Sequence, residues 1–276
     1  MTTWVLLRGW ARESRHWGSF PELLARRLGE GHDVIALDAP GNGKLNLRRS
    51  PMSVPAIARC CRAQLEASGA RPPFVLLGLS LGAMVALEWA HAWRREVEGV
   101  IFVNGSYAGY APPWRRLRPG AWGRLLSTLL PGTTLEQRES TVLALTSNAF
   151  RGDERLAARW AAIARYRPVS SANALRQLIA AARYRAPRRA PEMPALMVTS
   201  YGDRLVSHRC STTPAARWGV PIAMHHSAGH DLPLDDPEWL AAHAVAWWRG
   251  SRNCHQSATV ASSRAHKLHA SKGDVP

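Results

Sequence analysis

The sequence predicts an α/β protein built on a mostly parallel sheet of about six strands, with helices on both faces. Three observations point there. Short apolar runs rich in Val, Ile and Leu recur along the chain. Longer segments with helical spacing separate the early ones. One run, Val75–Leu79, stops at Gly78-Leu79-Ser80-Leu81-Gly82 and restarts at once as a helix. Strands buried on both faces read as unbroken apolar runs, and parallel neighbours need a crossover, usually helical. With 276 residues, 46% of them hydrophobic, the chain is long enough to bury such a core.

The predicted strands are Trp4–Leu7, Asp33–Leu37, Phe74–Leu79, Gly99–Val103, Ala195–Ser200 and Pro221–His225. Helices are expected near Trp17–Leu28, Val54–Ser68 and Leu81–Ala92, and a last one near Pro237–Trp248 closes the domain. The alternation breaks after Val103. From Tyr107 to Ala190 the pattern is helical and is interrupted by Pro112-Pro113, Pro119-Gly120, Pro131-Gly132, Pro168 and Pro187. Some eighty residues without a strand is too long for a plain loop, so the segment is expected to be a helical cap, its apolar face supplied by Leu125, Leu126, Leu129, Leu130, Leu143 and Leu145 with Trp122 and Phe150. Residues 1–106 and 191–250 form the core on this reading. Residues 251–276 are polar and read as a disordered tail.

Composition narrows the function. No run of eighteen apolar residues occurs, so no membrane span is expected. The start, Met-Thr-Thr-Trp-Val-Leu-Leu-Arg, lacks the basic segment of a signal peptide. The four cysteines, Cys60, Cys61, Cys210 and Cys254, have neither disulfide nor metal-ligand spacing. A reducing, cytoplasmic setting with no metal and no cofactor fits. The net charge of +16 is carried by arginine, since lysine occurs only at Lys44, Lys267 and Lys272. Residues 107–190 hold fifteen Arg against four acids, which places +11 of the excess in the cap. The arginines are dispersed rather than packed into one basic run, so nucleic acid is not expected as a partner.

The glycine–serine corner carries the chemistry. A serine between a strand and a helix, with glycine two residues away on each side, matches the G-x-S-x-G nucleophile elbow. The tight turn lifts the hydroxyl off the sheet and aims a helix N-terminus at it. A serine needs a base, and the base an orienting acid. His230 follows the last strand in a loop of small residues, with His225 and His226 as rivals at the strand's own end. Asp203 directly follows the strand Ala195–Ser200, whereas Asp231, Asp235 and Asp236 lie too near His230 in sequence to reach it easily. Arg8-Gly9-Trp10-Ala11 leaves the first strand, where a second oxyanion donor belongs.

Taken together, Gly78–Gly82, Tyr201–Asp203, Ala228–His230 and the Asp38-Ala39-Pro40-Gly41-Asn42-Gly43 loop resemble the α/β-hydrolase family, in its capped serine-esterase branch, over roughly residues 4–249. The resemblance implies a triad of Ser80, Asp203 and His230 and an oxyanion hole from the amides of Trp10 and Leu81. The implied activity is hydrolysis of a small-molecule carboxylic ester or thioester through an acyl-enzyme. Two departures stand out: Arg8 where the family has histidine, and Ala11 where it has a second glycine. Esterases of this branch that act on acyl groups held by a carrier protein are similar in their Gly-Trp loop, elbow and cap, and an arginine-rich cap would suit an acidic acyl carrier protein. The same triad could instead serve a C–C hydrolase or an acyltransferase. A non-catalytic binding protein on the same fold is the alternative from another class.

Overall fold

The structure, a computed structural model, describes residues 2–128 and 130–270, with side chains up to Asn253. Six strands form one sheet: β1 (Thr2–Leu7), β2 (His32–Leu37), β3 (Phe74–Leu79), β4 (Val97–Val103), β5 (Ala195–Ser200) and β6 (Ile222–His225). Their order is β2-β1-β3-β4-β5-β6 and every pairing is parallel. Side chains alternate between two faces. Val5, Leu7, Leu76, Phe102 and Met197 pack under α2 (Val54–Ala67) and α3 (Leu81–Ala92). Trp4, Leu6, Leu77, Ile101 and Val198 pack under α1 (Phe20–Leu28) and the last helix. Both faces are therefore covered, which explains why the strands read as unbroken apolar runs.

The insertion between β4 and β5 is helical. It contains α4 (Pro113–Arg116), α5 (Pro119–Ser127), α6 (Leu135–Thr146), α7 (Glu154–Tyr166) and α8 (Ser171–Arg183). Its two stems meet where the Ala108 amide donates to the Tyr184 carbonyl. Then follow α9 (Arg209–Trp218), α10 (Leu232–Asp235) and α11 (Pro237–Ala270).

Three sequence expectations differ from the structure. The helix expected over Trp17–Leu28 is split, because Gly18 at φ 57° ends a short 3-10 turn before α1 starts with Pro21 in its first turn. The backbone of α11 stays helical to Ala270 rather than ending at Trp248. The expected disordered tail thus falls on this helical backbone as far as Ala270, on side chains outside the described ones from Cys254, and on residues 271–276, which lie outside the described residues. The third difference concerns the cap's apolar face. Leu125, Leu143 and Leu145 are buried, but Trp122, Leu126 and Leu130 face solvent. Leu129 lies outside the described residues. Among the described residues no helix is long and apolar enough to cross a membrane, and no group of three His, Cys, Asp or Glu could hold a metal.

Candidate active site

The chain leaves β1 toward β2 on one side and returns to β3 on the other. This reversal opens a crevice at the carboxyl ends of β1 and β3, where open α/β sheets bind ligands. Ser80 stands there, at the turn from β3 into α3. Its backbone sits at φ 58°, ψ −113°, a region L-residues seldom occupy. The glycines make the turn possible. A methyl group at Gly78 would overlap the Gly82 carbonyl, and one at Gly82 would overlap the carbonyl of Leu7. The Ser80 amide donates to Val103 O at 2.9 Å, which ties the corner to β4.

His230 and Asp203 meet beside it. Both are buried, and His230 Nδ1 lies 2.7 Å from Asp203 Oδ2. A carboxylate only accepts, so Nδ1 is the donor, and in the neutral ring this tautomer leaves the lone pair on Nε2. Asp203 Oδ1 accepts from the amides of Leu205 and Val206, each at 2.8 Å. These bonds hold the carboxylate in one orientation. His230 and Ser80 line one cavity with Gly9, Trp10, Leu125 and Leu145. Among the described residues, Ser80 Oγ makes no hydrogen bond to His230, and such contacts often tighten only once substrate is bound.

The rival residues have other tasks. His225 Nε2 faces Asp236 Oδ2 at 3.1 Å, its Nδ1 accepts from the amides of Ser227 and Ala228, and its ring meets Trp239 edge-on. It shapes the loop that carries His230. His226 is exposed. Asp231 turns away from His230 to form a buried, two-pronged pair with Arg8, at 2.9 and 2.6 Å. Arg8 also lies over the Trp17 ring at 4.9 Å.

The loop after β1 packs against the corner. The amides of Trp10 and Leu81 donate to no backbone or side-chain acceptor among the described residues. Leu81 is the first residue of α3, where an N–H has no intrahelical partner. Ala11, in the place of the family's second glycine, adopts φ 52°, so the loop keeps a left-handed residue without a glycine. Helix α8 fixes this loop: Trp10 Nε1 donates to Ala174 O at 2.7 Å and the Ala11 amide donates to Gln177 Oε1 at 2.9 Å. Gln177 Nε2 donates in turn to Asn42 Oδ1 and Pro40 O. Asp38, which opens that second loop, accepts from the amides of Ser14 and Lys44.

Sequence reasoning missed Asn104. It follows β4 at φ 47° and is buried. Its Nδ2 donates to His230 O at 2.8 Å, while its Oδ1 accepts from Thr199 Oγ1 and the Ser200 amide, both at 3.2 Å. Asn104 therefore ties the ends of β4 and β5 to the His230 loop. An Asn-Gly pair at a strand end was the available sign, since asparagine tolerates the left-handed region. His16, near the site, is fully buried. Burial, then the charges of Arg12 and Arg8, keep its pKa well below the usual histidine value.

Over 99 residues the chain is 34% identical to a pimeloyl-[acyl-carrier protein] methyl ester esterase of Xylella fastidiosa. The match covers 36% of this chain and 34% of that protein, so it spans about a third of the relative's length. A thermophilic esterase from Thermogutta terrifontis superposes with TM-score 0.71 at 18% identity, covering 91% of this chain and 90% of the other. An esterase from Rhodococcus sp. does so with TM-score 0.72 at 17% identity, covering 91% of each. At such identities the two structures share the fold. The family model described as "Alpha/beta hydrolase family" matches residues 4–243, nearly the whole sheet and its insertion, and the chain belongs to that family.

Proposed function

We propose that the protein is a serine hydrolase of carboxylic esters or thioesters. The observation that carries this reading is the Asp203–His230 hydrogen bond beside a serine held at a strained elbow, with Ser80 and His230 facing one cavity. His230 Nε2 takes the proton of Ser80 Oγ as that oxygen attacks the acyl carbon. The new oxyanion points at the amides of Trp10 and Leu81. The imidazolium, steadied by Asp203, returns its proton to the leaving alcohol or thiol, and an acyl-Ser80 remains. A water molecule, deprotonated by His230, then releases the acid. The mechanism calls on no metal or cofactor.

The test is a panel of p-nitrophenyl esters and acyl thioesters of graded chain length. Ser80→Ala and His230→Ala, made separately, should each lower turnover at least roughly 10³-fold with the fold intact. Near-normal turnover by either variant would remove that residue from the mechanism. Transfer of the acyl group to an added alcohol in preference to water would point to an acyltransferase. Cleavage confined to carbon–carbon bonds would point to a C–C hydrolase.

A second reading concerns the acyl donor. The insertion is rich in arginine, and the Xylella relative bears a name that specifies an acyl-carrier-protein ester. If an acidic carrier delivers the acyl group, kcat/KM for that substrate should fall steeply with salt, because exposed charges are screened beyond about 8 Å at physiological ionic strength. Turnover of a small neutral ester should hold steady over the same range. Equal salt responses would leave a small-molecule esterase.

A further inference from the structure

A second chamber adjoins the Ser80 cavity, and Trp10, Arg12 and Val142 line both. It lies between the loop after β1 and helices α6 and α7 of the insertion. Its walls carry the apolar side chains of Val142, Ile163 and Ala174 beside charged ones. The two acids on it are already taken. Glu139 pairs with Arg12, and Glu13 pairs with Arg15. Two cations are left over. Arg138, four residues before Val142 on α6, and Arg167, at the end of α7, line the chamber, and neither has a carboxylate within ion-pair distance among the described residues. Arg138 Nε is buried with no hydrogen-bond partner, and Arg167 rests over the Tyr166 ring at 5.2 Å.

A guanidinium without a carboxylate partner keeps donors and charge for a ligand, and its planar fork fits a carboxylate or phosphate better than any neutral group. The chamber thus joins an apolar wall and uncommitted positive charge to the cavity that holds Ser80. We propose that this chamber binds the distal anionic group, a carboxylate or phosphate, of an ester whose reacting carbonyl lies at Ser80. The proposal rests on the esterase reading and names its substrate class. A neutral chain end placed there would gain no charge-assisted bond from Arg138 or Arg167, so the chamber favours the anionic one.

The test compares three methyl ester series of graded length, ending in a free carboxylate, in a phosphate or in a second, neutral methyl ester. At the best length one anionic series should exceed the neutral one in kcat/KM at least tenfold, chiefly through KM, and the better of the two identifies the group. Arg138→Gln and Arg167→Gln should each pull that ratio toward one, with thermal midpoints recorded to confirm folding. A wild-type ratio at or below one for every length, or a ratio that neither substitution moves, overturns the chamber while leaving the esterase reading in place. Calorimetric titration of Ser80→Ala with the corresponding dicarboxylates and phosphocarboxylates keeps the two questions apart. Binding that weakens at least tenfold on adding Arg138→Gln supports the chamber even if no ester is turned over. Binding indifferent to Arg138 removes it.

Discussion

Replacing Arg8 by methionine should destabilise the protein severely, and replacing Asp231 as well should restore most of the loss. The side chains of the pair are 2% and 6% exposed, so solvent screens them little. Arg8→Met removes two charge-assisted hydrogen bonds, each worth about 1.5–3 kcal/mol net, and leaves Asp231 buried and unpaired. Breaking a buried pair from one side typically costs about 3–5 kcal/mol, in the same range. In a chain of this size about 1 kcal/mol moves the thermal midpoint by roughly 2–4 °C, so the single variant should melt about 6–20 °C lower. Arg8→Met with Asp231→Leu swaps the pair for apolar contacts, which is often close to neutral. Urea unfolding of wild type, both singles and the double gives a double-mutant cycle, with an expected coupling of at least about 2 kcal/mol. A single variant within about 0.5 kcal/mol of wild type, or strictly additive losses, would refute the reasoning. The pair joins the residue before Gly9 to the residue after His230, so on the proposed function the single variants should also lose ester turnover.

Two further predictions concern residues around the same crevice. Asn104→Gly keeps a left-handed backbone while deleting three hydrogen bonds; it should cost about 2–3 kcal/mol and reduce kcat, with Asn104→Ala worse still, and equal activity in all three proteins would show that the His230 loop needs no such anchor. His16 stays neutral when folded, yet takes a proton near pH 6.5 when unfolded, so stability present above pH 6.5 should fall as pH drops below it, by up to about 1.4 kcal/mol per unit. Urea midpoints at pH 7.5 and 5.5 should differ less in His16→Gln than in wild type, and an unchanged difference would assign the acid sensitivity elsewhere.

The strands and the elbow were legible because both write themselves locally. β3 and β5 span the predicted Phe74–Leu79 and Ala195–Ser200, and Ser80 sits between glycines that only a close backbone approach requires. The meeting of Asp203 and His230 was foreseeable because each lies in the loop that leaves a strand of a parallel sheet, and such ends converge on one edge. What could not be read was pairing across distance. Arg8 and Asp231 stand 223 positions apart, and nothing local marks either as the other's partner. The sequence also could not say which side of an insertion helix faces inward. Leu125 and Leu126 are adjacent and chemically alike, yet the first is buried and the second exposed. On a helix that packs against only part of its surroundings, periodicity gives a stripe but not its direction.

Helix α8 has a consequence for how the crevice opens. It holds the loop after β1 through Ala174 O and Gln177 Oε1, and Asn173 reaches the backbone of Arg48 and Ser50. Raising α8 to admit a substrate would release the segment whose Trp10 amide, on the proposed mechanism, polarises the carbonyl. Access by that route and readiness for reaction would then exclude each other. A substrate entering elsewhere, past α5 and α6, meets donors already aligned. If α8 does swing, every turnover begins with rebuilding them, and the slow step becomes re-seating of one helix rather than attack by the serine.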